Sequence, residues 1–214
     1  MRDERVLRDG RVLLFDLGNV VVESAGLATL ERLLPQLGRE EILSRWLRSS
    51  AVSGFESGVI SQEAFARAFL AEWPLPMTPA QFLDEFTSWV RGFLPGAREL
   101  LAGLRSRHRI ACLSNTNAAH WARLDGIEDV FDVCIASHLT GFLKPDREAY
   151  EDALRRLGVA ASQVCFFDDL PGNVAAARAV GMQAFQVRGV AETADALRGL
   201  GITSGRRSLP GTPT

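Results

Sequence analysis

Val12-Leu-Leu-Phe-Asp-Leu-Gly-Asn-Val20 is a short apolar run that carries one carboxylate, Asp16, to its end and then turns at Gly18. A run of this length, bounded by charge before and Gly-Asn after, fits a strand buried on both faces, as in parallel sheets. Ligands bind beyond the carboxyl ends of such strands, so Asp16 is expected to face a crevice and to carry chemistry. The other use of an aspartate here is to cap a turn or helix. Three further segments decide between the two readings.

Arg109-Ile-Ala-Cys-Leu-Ser-Asn-Thr-Asn117 repeats the format, an apolar strand ending in a hydroxyl and an amide, Ser114 and Asn115, which donate hydrogen bonds to anions. Gly141-Phe-Leu-Lys-Pro-Asp146 sets Lys144 in a loop before a helix expected to start near Pro145, because proline suits a first helical turn. Val164-Cys-Phe-Phe-Asp-Asp-Leu-Pro-Gly-Asn173 is a third strand, delivering Asp168 and Asp169 side by side. Adjacent carboxylates repel unless a cation compensates, and hard oxygen ligands favour magnesium. Lys144 is the only lysine among 24 basic residues. Arginine carries every other positive charge, so a compact ammonium at this position points to a specific task.

In order and spacing these four segments resemble the motifs of the haloacid dehalogenase superfamily, most of whose members are magnesium-dependent phosphatases. The Phe-Asp-Leu-Gly-Asn-Val, Leu-Ser-Asn-Thr-Asn and Phe-Phe-Asp-Asp blocks, with Phe55-Glu-Ser-Gly-Val-Ile-Ser-Gln-Glu-Ala-Phe65 between the first two, resemble the alpha-D-glucose-1-phosphate phosphatase-like subgroup. The likeness runs from about residue 11 to 187. It implies Asp16 as nucleophile, with Asp16, the Gly18 carbonyl, Asp168 and Asp169 as ligands of Mg2+ and Asn173 orienting that loop from behind. It implies that Ser114, Asn115 and Lys144 hold the phosphoryl oxygens of a small phosphorylated metabolite, such as a sugar phosphate. In one respect the chain departs from the pattern. Most phosphatases of the superfamily carry a second aspartate, which protonates the leaving group, where Gly18 stands. The alternatives are a dehalogenase-type hydrolase, which needs no metal, and a catalytically weak protein that binds phosphorylated ligands or partners.

Strand signals near 11–16, 109–114, 131–136, 163–168 and 182–187 alternate with helical periods near 96–107, 117–124, 146–157 and 172–180. Such alternation predicts an α/β fold, a doubly wound, Rossmann-like parallel sheet. The interval up to residue 95 shows no strand but helical periods near 26–35, 39–50, 61–73 and 79–92, expected to form an inserted helical cap. The core is thus expected at 11–24 and 94–202, the cap at 25–93, and a disordered tail at 203–214. Phe82, Phe86, Trp89 and Phe93 share one helical face, as do Phe65 and Phe69, and with Trp46 and Trp73 read as the core of that cap rather than a ligand cage. Phe55-Glu-Ser-Gly58 is the polar turn able to face the core, with Glu56 its candidate substrate contact.

A formal net charge of -2 gives no electrostatic case for nucleic acid or an anionic membrane. No apolar stretch is long enough to span a bilayer and the first residues lack a signal-peptide core, so a cytoplasmic protein is expected. The three cysteines lie in strand signals without a Cys-x-x-Cys pair, and the three histidines show no metal-ligand spacing. Nothing in the sequence sets the oligomeric state.

Overall fold

The computed structural model describes residues 10–202; the expectation for 203–214 lies outside them. Five parallel strands form the sheet, β1 (Val12–Phe15), β4 (Arg109–Ser114), β5 (Val133–Ala136), β6 (Val164–Asp168) and β7 (Gln183–Gln186), in the order β5-β4-β1-β6-β7. The order reverses at β1, the switch point where a crevice opens in such sheets. Phe15 lies level with Cys112 on one side and Phe167 on the other, which brings the strand ends carrying Asp16, Ser114 and Asp168 together.

Alternation along β1 sorts its side chains into two cores. Leu13 and Phe15 pack with Ile110, Cys112, Cys165 and Phe167. Beneath them lie α6 (Ala97–Arg105), α8 (Ile127–Val130) and α12 (Gly189–Gly199). Val12 and Leu14 face the other way, against α10 (Arg147–Leu157) and α11 (Pro171–Ala179) through Tyr150, Ala153 and Val174. Both faces are covered, so the strand is apolar throughout.

The insertion holds five helices: α1 (Gly26–Leu33), α2 (Arg39–Arg48), α3 (Ser50–Glu56), α4 (Gln62–Glu72) and α5 (Pro79–Thr87). The helical period near 39–50 breaks at Ser49, whose extended backbone lets its hydroxyl cap α3 by accepting from the Val52 N–H. Phe55, Phe65, Phe69, Phe82 and Phe86 build a separate core with Trp73 and Trp89. Phe69 and Phe82 stack at 4.6 Å, Phe55 and Phe65 at 4.5 Å. Here the structure corrects one expectation: α5 ends at Thr87, and Phe93 belongs to β3 (Val90–Phe93), paired antiparallel with β2 (Val22–Ser24). Gly92, at a φ of 102°, holds a conformation no helix contains. The two short strands close the base of the insertion, Leu94 N–H donating to the Val21 carbonyl and Ala25 N–H to that of Trp89.

Close contacts fix the cap on the sheet. Gly58, at a φ of 73°, passes so near the His138 carbonyl that an added Cβ would lie 2.4 Å from its oxygen. On α7 (Ala118–Trp121), the ring of His120 stacks on Phe86 at 4.2 Å. Its Nε2 lies 2.7 Å from the Phe86 carbonyl, and its Nδ1 lies 3.2 Å from the Asn117 amide. A neutral ring protonated at Nε2 donates to the carbonyl and accepts from the amide, so both nitrogens are satisfied. Burial holds its pKa down to about 4 from 6.5. The depressed value makes the contribution to stability complete above pH 6.5 and lost progressively as pH falls toward 4, up to ~3 kcal/mol. Urea unfolding at pH 7 and pH 4.5 is expected to show a smaller loss in His120→Gln than in the wild type; equal losses would remove His120 from the account.

Candidate active site

The chain arrives at the crevice from β1 as Asp16, its N–H donating to the Phe167 carbonyl at 2.8 Å, and at once folds into a turn around the Leu17 carbonyl. Asn19 takes a left-handed φ of 56°, which asparagine tolerates better than most residues. That conformation lets its side chain donate to Asp169 Oδ2 at 3.2 Å. β6 ends in Asp168, whose carboxylate accepts from the Leu170 N–H at 2.9 Å and from Asn173 Nδ2 at 3.0 Å on each oxygen. Tyr150 donates to the Asn173 carbonyl at 2.9 Å, fixing the start of α11 behind the site.

Lys144 links the strands. Its side chain is 1% exposed, and Nζ donates at 2.7 Å to Asp16 Oδ1 and at 2.7 Å to Asp168 Oδ2. The lone lysine thus sits between two carboxylates at the centre of the crevice. Burial opposes its charge, yet Asp16 and Asp168 win and hold it protonated well above the ordinary lysine range. Asn115, expected to face the phosphoryl group, spends its side chain differently. Its Nδ2 donates to the Lys144 carbonyl at 2.8 Å and its Oδ1 accepts the Lys144 N–H at 2.9 Å. The Asn115 side chain therefore positions the lysine. Ser114, buried at the end of β4, lines the pocket with only a long contact of 3.5 Å to the Asn115 carbonyl.

Asp16, Asp168 and Asp169 each offer a buried oxygen, all within 4.8 Å of one another. Lys144 compensates part of that charge, and Arg188, half-exposed, reaches Asp169 from the solvent side at 3.2 Å. Burial first, then the neighbouring carboxylates, push Asp16 up to about 7 against the pull of Lys144. Burial and Asp168 raise Asp169 as well. Three crowded oxygen donors in electrostatic excess fit a divalent cation. Gly18 lines the same pocket, and a Cβ there would meet nothing nearer than Ser24 Cβ at 3.8 Å and Asp16 Oδ2 at 4.0 Å. Asn19 and Arg188 were not singled out in the sequence. Asn19 lay within the opening motif, where a polar residue after glycine signals only a turn, while Arg188 comes from beyond β7 and carried no local signal.

The pocket over these groups has a volume of about 270 Å³ and is closed by the cap through Leu27, Trp46, Glu56 and Trp89. The seat of Glu56 at the end of α3 is fixed from the core. Ser137 accepts from the Thr116 N–H at 2.9 Å and donates to the Glu56 carbonyl at 2.6 Å. Burial raises the Glu56 carboxyl to about 7, with Lys144 lowering it and Asp16 raising it. Trp73 is buried in the cap core as expected, whereas Trp46 touches that core and also faces the pocket.

A doubly wound sheet whose central strand ends in an aspartate, bonded to a buried lysine and facing an acidic pair under an inserted cap, gathers its reactive groups at one strand end. Residues 11–181 match the family model for haloacid dehalogenase-like hydrolases, and the chain belongs to that family. Phosphatase MT3486 of Mycobacterium tuberculosis is 32% identical over 116 residues, 52% of this chain and 53% of its own length. The chain spans about half the length, or less, of the curated relatives it matches. A haloacid dehalogenase family enzyme of Bacteroides thetaiotaomicron, solved with magnesium and inorganic phosphate, superposes with a TM-score of 0.68 at 21% identity, over 83% of this chain and 94% of that one. The L-2-haloacid dehalogenase PA0810 superposes with a TM-score of 0.59 at 22% identity, over 83% and 86%. At such identities the solved neighbours speak to the fold alone. Among the described residues no helix is long and apolar enough to cross a membrane.

Proposed function

We propose that the protein is a magnesium-dependent phosphatase that hydrolyses a small phosphomonoester through an aspartyl-phosphate on Asp16. The observation that carries this is the Asp16–Lys144–Asp168 cluster, a carboxylate held by a buried ammonium beside two further acids. The phosphatase relative supports it, and a neighbour of the same fold was solved with magnesium and inorganic phosphate. A dehalogenase of this fold needs no metal, and the crowding of Asp168 and Asp169 against Asp16 favours the phosphatase. We place the protein in the cytoplasm, which suits the thiols of Cys112 and Cys134 in adjacent strands.

Asp16, Asp168, Asp169 and the Gly18 carbonyl would hold magnesium, which when bound screens the phosphoryl oxygens from the attacking carboxylate. Lys144 adds its charge to that screening and holds the Asp16 carboxylate in place; Ser114 donates to a phosphoryl oxygen. The Asp16 oxygen attacks phosphorus, the bond to the leaving oxygen breaks, and water then attacks phosphorus to free phosphate and restore the carboxylate. Glu56 is the pocket carboxyl nearest in role to the acid that Gly18 lacks. Protonated, it gives its proton to the leaving oxygen; ionised, it takes one from the attacking water, which restores it. The resemblance to sugar phosphatases suggests a sugar phosphate, a choice that depends on the lining of the pocket.

Hydrolysis of p-nitrophenyl phosphate with magnesium, with chelator and after magnesium is returned tests the reading. Activity is expected to vanish and then recover. Full turnover in chelator, or chloride release from 2-haloacids, would favour the dehalogenase; tight phosphate binding without turnover would favour a binding protein.

The acid assignment has its own outcome. Glu56→Gln is expected to slow alkyl phosphates by about 10²-fold or more while sparing p-nitrophenyl phosphate, whose leaving oxygen needs little protonation. The wild-type rate on alkyl phosphates is expected to fall as pH rises above about 7, where Glu56 ionises. Gly18→Asp, which fits the space at that turn, is expected to restore alkyl phosphate hydrolysis to Glu56→Gln. A plot of log rate against leaving-group pKa with the same slope in all variants would show that Glu56 moves no proton.

A further inference from the structure

The pocket has two unlike walls. Its floor is the polar set around Asp16 and Lys144. Its roof is apolar, formed by Leu27 and Leu30 of α1, Leu43, Trp46 and Leu47 of α2, and Trp89. Residues 39, 43, 46 and 47 fall on one stripe of α2, at the i, i+4, i+7 and i+8 spacing, and Ile42 at its border enters the cap core. The stripe is not consumed by the fold: Leu47 is 60% exposed, and Leu43 and Trp46 are only partly buried.

The polar side chains on this side are Ser24, Arg39, Glu56 and His120. Arg39 donates to Glu31 at 2.9 Å. Both ring nitrogens of His120 are engaged with Phe86 and Asn117. The indole N–H of Trp89 is the exception, a buried donor with no acceptor among the described residues. A sugar would bring several hydroxyls against leucine and tryptophan, and those out of reach of Ser24, Arg39 and Glu56 would be desolvated without a partner. An apolar body suffers no such loss and covers the exposed stripe.

We infer that this roof is a subsite for the organic part of the substrate, and that the substrate is the phosphomonoester of a predominantly apolar alcohol. The inference rests on the phosphomonoester reading above, and it names the class of the leaving group. The phosphate sits on the floor, and the apolar body lies along the roof. Beyond Trp46 the stripe reaches solvent at Leu47, so a longer chain extends outward along α2 rather than being excluded.

The test uses alkylphosphonates, which keep a phosphate-like head but have no ester oxygen to leave, so binding is read without turnover. With magnesium present, the dissociation constants of methyl-, butyl-, hexyl- and octylphosphonate are followed by the fluorescence of the pocket tryptophans. Affinity is expected to rise by roughly threefold to fourfold per methylene until the chain passes Leu47. Leu43→Asp and Leu47→Asp, both at positions with solvent access, are expected to flatten that rise, with circular dichroism confirming the fold. In turnover, kcat/KM for hexyl phosphate is expected to exceed that for glucose 1-phosphate and glucose 6-phosphate. Affinity independent of chain length, a preference for either sugar phosphate, or an undiminished rise in both variants would overturn the inference. A chain-length dependence without any phosphate release would support the subsite and reject the phosphatase reading, so the two fail separately.

Discussion

Asp16→Asn is expected to keep the fold and to lose hydrolysis of p-nitrophenyl phosphate by about 10⁴-fold or more, the scale on which removing a covalent nucleophile acts. An amide has the shape of the carboxylate, and its oxygen still accepts from Lys144, but it cannot form the acyl-phosphate. The substitution also removes one of three crowded acids, so stability without magnesium is not expected to suffer. Single-turnover phosphate release, with contaminating phosphatase excluded, checks the first part; a thermal melt in chelator checks the second. A variant retaining wild-type rates would remove Asp16 from the chemistry.

Lys144→Met is expected to cost more in stability than any other single change at the site. The ammonium is bonded at 2.7 Å to each of two carboxylates and almost wholly shielded from water. Removing one partner of a buried ion pair leaves charge uncompensated, typically at ~3–5 kcal/mol. Activity is expected to fall by about 10²–10³-fold, since the charge that screens the phosphoryl oxygens goes too. The loss of stability is expected to shrink when magnesium is added, because a divalent cation compensates the same carboxylates. Urea unfolding of both proteins in chelator and in magnesium measures this. Equal stability of both proteins in chelator would show that the ammonium carries no net stabilisation.

The core was legible because its signals are local and repeated. The run ending at Asp16 is apolar at every position, since both faces of β1 are covered, and the other site strands follow the same pattern. The lone lysine was legible from composition alone. The hairpin-like base of the cap was not: β2 and β3 are three and four residues long, and one contains a glycine at positive φ, so neither shows an alternation to read. The second task of the Asn115 side chain was hidden for a different reason. A strand-end amide suits an anion, but the Lys144 backbone arrives from 29 residues away and bonds its oxygen and its nitrogen. Trp46 belonged to an apolar period that the sequence could only assign as cap core; its second face, over the pocket, follows from the break at Ser49 and the packing of α2. His120 showed no ligand spacing, and its place as the tether between cap and core depends on where α5 ends.

In the proposed reaction the phosphoryl group passes through Asp16. The most direct measurement is acid quench of the enzyme during turnover of p-nitrophenyl phosphate with magnesium, followed by borohydride reduction and peptide mass spectrometry. An acyl-phosphate on Asp16 is reduced to homoserine at that position, and this product is expected at residue 16, dependent on substrate and metal. Phosphate release with Asp16 unmodified at every quench time, or with the phosphoryl group trapped on another side chain, would contradict it.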